Sequence, residues 1–186
     1  GGTVTFKIRT AEDGSCGTRN DLADFESKTV SSIRGQLNSG TAPEDCLRNG
    51  ISAFDSVVAQ LAKELVRFVP MSKRRATRLE GQRFHNPEEL RKVMRDWFDI
   101  DLAGGIKDAD WSSIVRMFHR RHVYEHNGGE IDQKYLDDSG DTTVKLKQHI
   151  HETGEAVHDL LGGLLKMVGN LHTGFHELLP PVPEPI

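Results

Sequence analysis

Residues 41–70 read TAPEDCLRNGISAFDSVVAQLAKELVRFVP, and this stretch decides the fold. Leu47, Ile51, Phe54, Val58, Leu61, Leu65 and Phe68 recur in steps of three and four. That spacing keeps one helical face toward a partner helix for about six turns. Thr41-Ala42-Pro43-Glu44 has the pattern of a capping box, with proline in the first turn, where its missing N–H costs nothing. Pro70 ends the helix.

Outward from this segment the same period continues. Leu22, Phe25, Ile33 and Leu37 predict a helix that starts near Asp21 and is stopped by Asn38-Ser39-Gly40. Asn86-Pro87-Glu88-Glu89 opens another, with Leu90, Val93, Met94, Trp97 and Phe98 on its apolar stripe. After Gly104-Gly105, Asp108 or Asp110 is expected to cap a helix bearing Trp111, Ile114, Val115 and Phe118, ending at Asn127-Gly128-Gly129. The polar stretch that follows, through Asp141, reads as a connecting loop. A last helix carries Val157, Leu160, Leu161, Leu164, Leu165, Val168 and Leu171. Its glycines, Gly162, Gly163 and Gly169, weaken it by ~1 kcal/mol each if interior, so close helix packing is expected to compensate.

The alternating residues 3–9 read as a short strand, and residues 180–186 as an extended proline-rich tail. The expected architecture is therefore all-α: an antiparallel bundle of about five helices with a short N-terminal strand and a Pro-rich C-terminal tail. Residues 21–179 form the helical domain, residues 1–20 an extension or remnant of an upstream region, and residues 180–186 the tail. The opening Gly1-Gly2, without methionine, reads as a trimmed start.

The chain has 186 residues, 36% of them hydrophobic and 28% charged, which excludes collagen-like and wholly disordered classes. No apolar run approaches the ~20 residues needed to cross a bilayer, so no membrane partner is expected. The two cysteines, Cys16 and Cys46, are too few for a disulfide scaffold and read as unpaired thiols in a reducing cytoplasm. The net charge of −4 argues against a broad basic nucleic-acid face. The charge is nonetheless uneven, at −1 over residues 1–70, +3 over 71–127 and −6 over 128–186. In the middle third, Lys73, Arg74, Arg75 and Arg78 form a basic loop able to meet several phosphates.

The segment His119-Arg120-Arg121-His122-Val123-Tyr124-Glu125-His126-Asn127 is dense in chemistry. His122 and His126 continue the apolar stripe at helical spacing. Arg121 lies five residues before His126, about 140° away around the axis, so a straight helix does not aim both at one point. Three readings compete here. His126 is a helix-terminal residue favoured by the dipole; or His119, His122 and His126 bind a metal, with no carboxylate among them on that face and two arginines beside them; or the segment performs metal-free phosphodiester chemistry. In the last case an imidazole, with an ordinary pKa of about 6.5, relays a proton while a guanidinium stabilises charge on phosphorus.

Arg121-His122-Val123-Tyr124-Glu125-His126 resembles the arginine, four-to-six residues, histidine motif of the HEPN superfamily (higher eukaryotes and prokaryotes nucleotide-binding domains). Asn127-Gly128-Gly129, Ile131-Asp132 and Tyr135-Leu136 downstream, and Phe84-His85-Asn86, Trp97-Phe98 and Ile100-Asp101-Leu102 upstream, extend the resemblance over roughly residues 41 to 175. It implies a helical bundle that dimerises so that two motifs share one cleft, and a metal-independent endoribonuclease of the toxin–antitoxin or antiphage kind. No cofactor is implied. Partners would be a second copy, RNA, and an antitoxin or neighbouring domain. By this resemblance Arg121 binds the scissile phosphate and His126 transfers the proton for 2′-OH attack, leaving a cyclic phosphate. His122 assists, Asn127 contacts a phosphate or only caps the helix, and Arg120 is the alternate for Arg121. Lys73, Arg74, Arg75 and Arg78 would add phosphate contacts outside the cleft. Gly128 stands where the subgroup modified by a nucleotidyltransferase carries tyrosine, which speaks against that version. Other members of the superfamily cut nothing, so the alternative is a non-catalytic helical dimerisation or nucleotide- or RNA-binding module of a larger defence or regulatory protein.

Overall fold

A computed structural model of the chain describes residues 21–81 and 86–180. The expected strand at residues 3–9, Cys16, Phe84-His85 and the tail beyond Pro180 lie outside the described residues. Those described are mainly helical, with no strand among them beyond one isolated antiparallel bridge between Glu130 and His149. In order they form α1 (Asp21–Asp24), a π-helical segment (Phe25–Val30), α2 (Ser31–Asn38), α3 (Pro43–Phe68), α4 (Lys73–Gly81), α5 (Pro87–Phe98), α6 (Asp108–His126), α7 (Gln133–Ser139) and α8 (Gly154–Leu178).

The π-helical segment has a packing cause. Phe25 and Val30 are five residues apart and both are buried. On an α-helix they would point about 140° apart; the wider i→i+5 turn brings them onto one face. Helices α3 and α8 form the centre of the molecule. Leu47, Ile51, Phe54, Val58, Leu61 and Leu65 are all fully buried in α3, as the seam predicts, while Phe68 at the end is only half-buried. Cys46, Val57 and Ala62 are buried as well. Helix α3 meets α2, α4, α6 and α8, so its covered face is wider than a two-helix seam.

The glycines of α8 separate into two kinds. A Cβ on Gly163 would stand 2.5 Å from Ile114 Cδ1 of α6, so this crossing is close as expected, but Gly169 would meet only Leu22 at 4.0 Å. The approach hardest to relieve is at Gly174, where a Cβ would lie 2.6, 2.9 and 3.2 Å from Cγ1, Cγ2 and Cβ of Ile100. No rotamer of a β-branched residue clears its own Cβ. Gly174→Ala is therefore expected to lose about 1–3 kcal/mol in urea denaturation. Gly169→Ala, which gains helix propensity and meets no obstacle, should be neutral or stabilising by up to ~1 kcal/mol.

Several local expectations are corrected. Thr41 makes no capping box: Ala42 is the N-cap of α3, and no side chain caps it. Glu44 is used at long range instead, its Oε1 accepting the Glu152 N–H at 3.1 Å. Neither Asp108 nor Asp110 caps α6, whose N-cap is Lys107; both aspartates lie inside the first turn, where they favour the dipole. Asn86 does cap α5, its side chain accepting from the N–H groups of Glu88 and Glu89.

The basic stretch is helix α4, not a loop. Four cations within six residues hid an amphipathic turn whose one fully buried side chain is Leu79. The polar stretch before Asp141 contains α7, capped by Asp132 and anchored by buried Tyr135. Seven residues are too few for periodicity to register. Val123, Ile131, Tyr135 and Ile150 form a small second core there, apart from the main one. The end of α6 thus leaves the main core and projects toward α7, which positions the site.

Candidate functional site

Where α6 leaves the main core, a cleft of about 490 Å³ opens against α7. Helix α6 lines it with Phe118, His119, Arg121, His122, Glu125 and His126; α7 contributes Lys134, Tyr135 and Asp138, and the cap of α5 contributes Asn86. His122 and His126 are exposed, with ring centroids 4.4 Å apart. They do not extend the buried stripe as their spacing predicts: the stripe passes to Val123, which turns into the second core.

Arg121 reaches the same cleft by its length, although its Cα faces away from His126 on the helical wheel. Its side chain is 13% exposed and engaged on both sides: Nη1 donates to Asp55 Oδ2 of α3 and Nε to Glu125 Oε1, each at 3.0 Å. The guanidinium is therefore oriented, and a phosphate would have to share or displace those carboxylates. Burial pushes the His119 imidazole below its usual range, keeping it in the neutral form around pH 7.

Arg120 goes elsewhere. Its Nη1 forks onto Glu152 at 3.0 and 3.2 Å, Nη2 donates to Asp141 Oδ2 at 3.3 Å and Nε to Tyr135 Oη at 3.4 Å. Tyr124 Oη donates to Glu152 Oε1 and Tyr135 Oη to Asp141 Oδ2, both at 2.7 Å. The two carboxylate side chains are 2% and 1% exposed. Arg120 thus ties the segment after α7 to α6, and the alternate role considered for it at the cleft is not where the fold places it. The arginine that lines the cleft is Arg121.

Burial raises the Asp141 carboxyl, but hydrogen bonds from Thr143, Tyr135 and Arg120 outweigh it and hold the group far below the usual carboxylate range. A depressed folded-state pKa contributes stability that is complete above the unfolded value of about 3.9 and is lost as pH falls toward the folded one. Urea midpoints should accordingly be flat from neutrality to about pH 5 and fall progressively below pH 4. Asp141→Asn should flatten that fall, read by urea titration at each pH.

Asn127 ends α6, its N–H bonding to Val123 O at 2.8 Å, and Gly128 and Gly129 follow at φ 58° and 92°. Its Nδ2 donates to Asp132 Oδ2 at 2.6 Å, so it braces the turn and does not line the cleft. Tyr135 N–H and Asn127 both bond Asp132 and lower its carboxyl. Lys73, Arg74, Arg75 and Arg78 do not line the cleft either. Arg75 and Arg78 lie on Trp97, with guanidinium carbons 5.3 and 5.5 Å from the ring centroid, and Arg78 also pairs with Glu89 at 3.7 Å.

The residues that sequence reasoning missed are Asn86, Lys134, Asp138 and Glu125. Lys134 bonds Asp138 across one turn of α7, and that pair at i,i+4 behind a capping aspartate was the legible signal. Cys46 is buried, with its Sγ 3.9 Å from Ile33 O, and plays no part in the site. Among the described residues no group of three or more His, Cys, Asp or Glu side chains is placed to hold a metal ion, His119, His122 and His126 included. No described helix is long and apolar enough to cross a membrane. Comparisons with protein families, with curated proteins and with solved structures returned no match for this chain.

Proposed function

We propose that the α6–α7 cleft binds the backbone of single-stranded RNA and, in a homodimer, cleaves it without a metal. The observation that supports this reading is the gathering of Arg121, His122 and His126 in one open cleft, with both imidazoles exposed. Exposed imidazoles beside an arginine are poorly explained by packing and well suited to proton transfer at a phosphodiester.

The ribose 2′-oxygen attacks phosphorus and gives its proton to His126; the bond from phosphorus to the 5′-oxygen breaks, and that oxygen takes a proton from His122. A 2′,3′-cyclic phosphate and a 5′-hydroxyl result. Arg121 stabilises the extra charge on the phosphoryl oxygens, while Asp55 and Glu125 keep its guanidinium in place. Lys134 and Asn86 stand at the same cleft as further donors. A flexible single strand suits the in-line geometry that attack requires. The toxin-like or antiphage setting, with an antitoxin or neighbouring domain as partner, belongs to the same proposal.

One observation favours a second reading. Arg121 is already satisfied by two carboxylates, as expected of a structural arginine in a non-catalytic helical dimerisation or RNA-binding module. The two separate in one assay: purified chain on a mixed RNA pool with chelator present, wild type beside His126→Ala. Cleavage that ends in cyclic phosphate and is lost in the variant supports the nuclease. An intact pool supports the module, and equal cleavage by both proteins identifies a contaminant.

A further inference from the structure

A second cleft, of about 500 Å³, lies between α2, α6 and α8 and shares no lining residue with the histidine cleft. Its size is within the range of small-ligand sites. Two bare stretches of backbone, Gly162-Gly163 of α8 and Gly105 of the turn before α6, form part of its wall. Arg34 of α2 lies over the first: a Cβ on Gly162 would be 3.8 Å from its Nη2. Lys166 lies over the second, its Cε and Nζ 3.3 and 3.4 Å from where a Gly105 Cβ would be.

These two cations are not committed to carboxylates. Arg120 and Arg121 are each matched by two carboxylates, whereas neither Arg34 nor Lys166 has an ion-pair partner among the described residues. The Nε of Arg34 is moreover enclosed and has no acceptor. An orphaned buried donor costs about 1–3 kcal/mol, which an anion in the cleft would relieve; the Nε atoms of Arg48 and Arg91 are orphaned likewise, but neither residue lines this cleft. The same cleft presents Asp110 and Asp159, and these also lack cationic partners among the described residues.

We infer that this cleft is a binding site for a small phosphomonoester that also carries hydroxyl groups. A guanidinium and an ammonium together match a dianion, whereas a single carboxylate would leave one of them uncompensated. Asp110 and Asp159 only accept hydrogen bonds when ionised, so they repel a bare anion and suit the hydroxyls of a sugar. Ile106, Ile114 and Met117 give the cleft its apolar side. The inference does not rest on the nuclease reading.

The test is calorimetric titration of the full chain with ribose 5-phosphate, inorganic phosphate and ribose at millimolar concentration. Ribose 5-phosphate should bind, and inorganic phosphate more weakly. Lys166→Ala, at an exposed position, should weaken ribose 5-phosphate at least ~10-fold, the loss of one charge-assisted contact. Asp110→Asn should weaken ribose 5-phosphate, whose hydroxyls lose an acceptor, and tighten inorganic phosphate, which loses a repelling charge, and His126→Ala should alter neither. Absence of binding overturns the inference, as does equal affinity for inorganic phosphate and ribose 5-phosphate. Affinity unmoved by both Lys166→Ala and Arg34→Lys, with melting curves showing each variant folded, overturns it too.

Discussion

Arg120→Ala is expected to destabilise the protein by about 3–5 kcal/mol, the usual consequence of removing one partner from a buried ionic cluster. The physical reason is what remains behind. Glu152 and Asp141 are almost fully enclosed and share one guanidinium. Without it, two carboxylates face each other in a poorly solvated space, with only the hydroxyls of Tyr124 and Tyr135 and the Thr143 contacts to Asp141 left as donors. The segment between α7 and α8 should then detach from the end of α6. The pH dependence supplies a second readout. Protonation relieves the unpaired carboxylates, so the gap between variant and wild type should be smaller at pH 4.5 than at pH 7, measured by urea denaturation. A loss below ~1 kcal/mol at pH 7, the range of an exposed ion pair, would show that the cluster is solvated and the explanation wrong.

At the cleft the order of effects should reverse. His126→Ala is expected to lower RNA cleavage by about 10²–10⁴-fold, the range for removing a general acid or base. Because the side chain is exposed, stability should change by no more than ~0.5 kcal/mol. Arg121→Lys keeps the positive charge but loses the planar fork that engages Asp55 and Glu125. Its cleavage should fall nearly as far as that of Arg121→Ala, about 10²–10³-fold. A 2′-deoxy nucleotide at the scissile position should abolish cleavage, since the attacking oxygen is gone, while binding is retained. A loss of more than ~2 kcal/mol of stability in His126→Ala would mark the residue as packing and remove its assigned role.

The helical fold was largely readable because its two longest helices carry uninterrupted apolar stripes. The seam from Leu47 to Leu65 is buried throughout. The breaker Asn38-Ser39-Gly40 begins at the last helical residue of α2, and Pro70 falls just past the end of α3. Local signals failed where a competing interaction was stronger. Glu44 was expected to serve its own N-terminus and was taken by the Glu152 N–H. Helices α4 and α7 were hidden because a short helix needs only one buried anchor, Leu79 or Tyr135, and a single residue has no period.

The candidate site divides along the same line. That Arg121, His122 and His126 lie on one helix ending at Asn127-Gly128-Gly129 follows from the sequence alone, since spacing and glycine conformational freedom are local properties. Which of two adjacent arginines faces the cleft is not local. Successive residues on a helix differ by about 100°, so Arg120 and Arg121 must diverge. Beyond the local pair of Arg121 with Glu125, the carboxylates that claim them, Glu152 and Asp141 for one and Asp55 for the other, lie 21 to 66 residues away in the chain. Only the packing of α3, α7 and the segment before α8 around α6 decides that assignment, because a charge in a poorly solvated space goes to the partner the tertiary structure brings within reach.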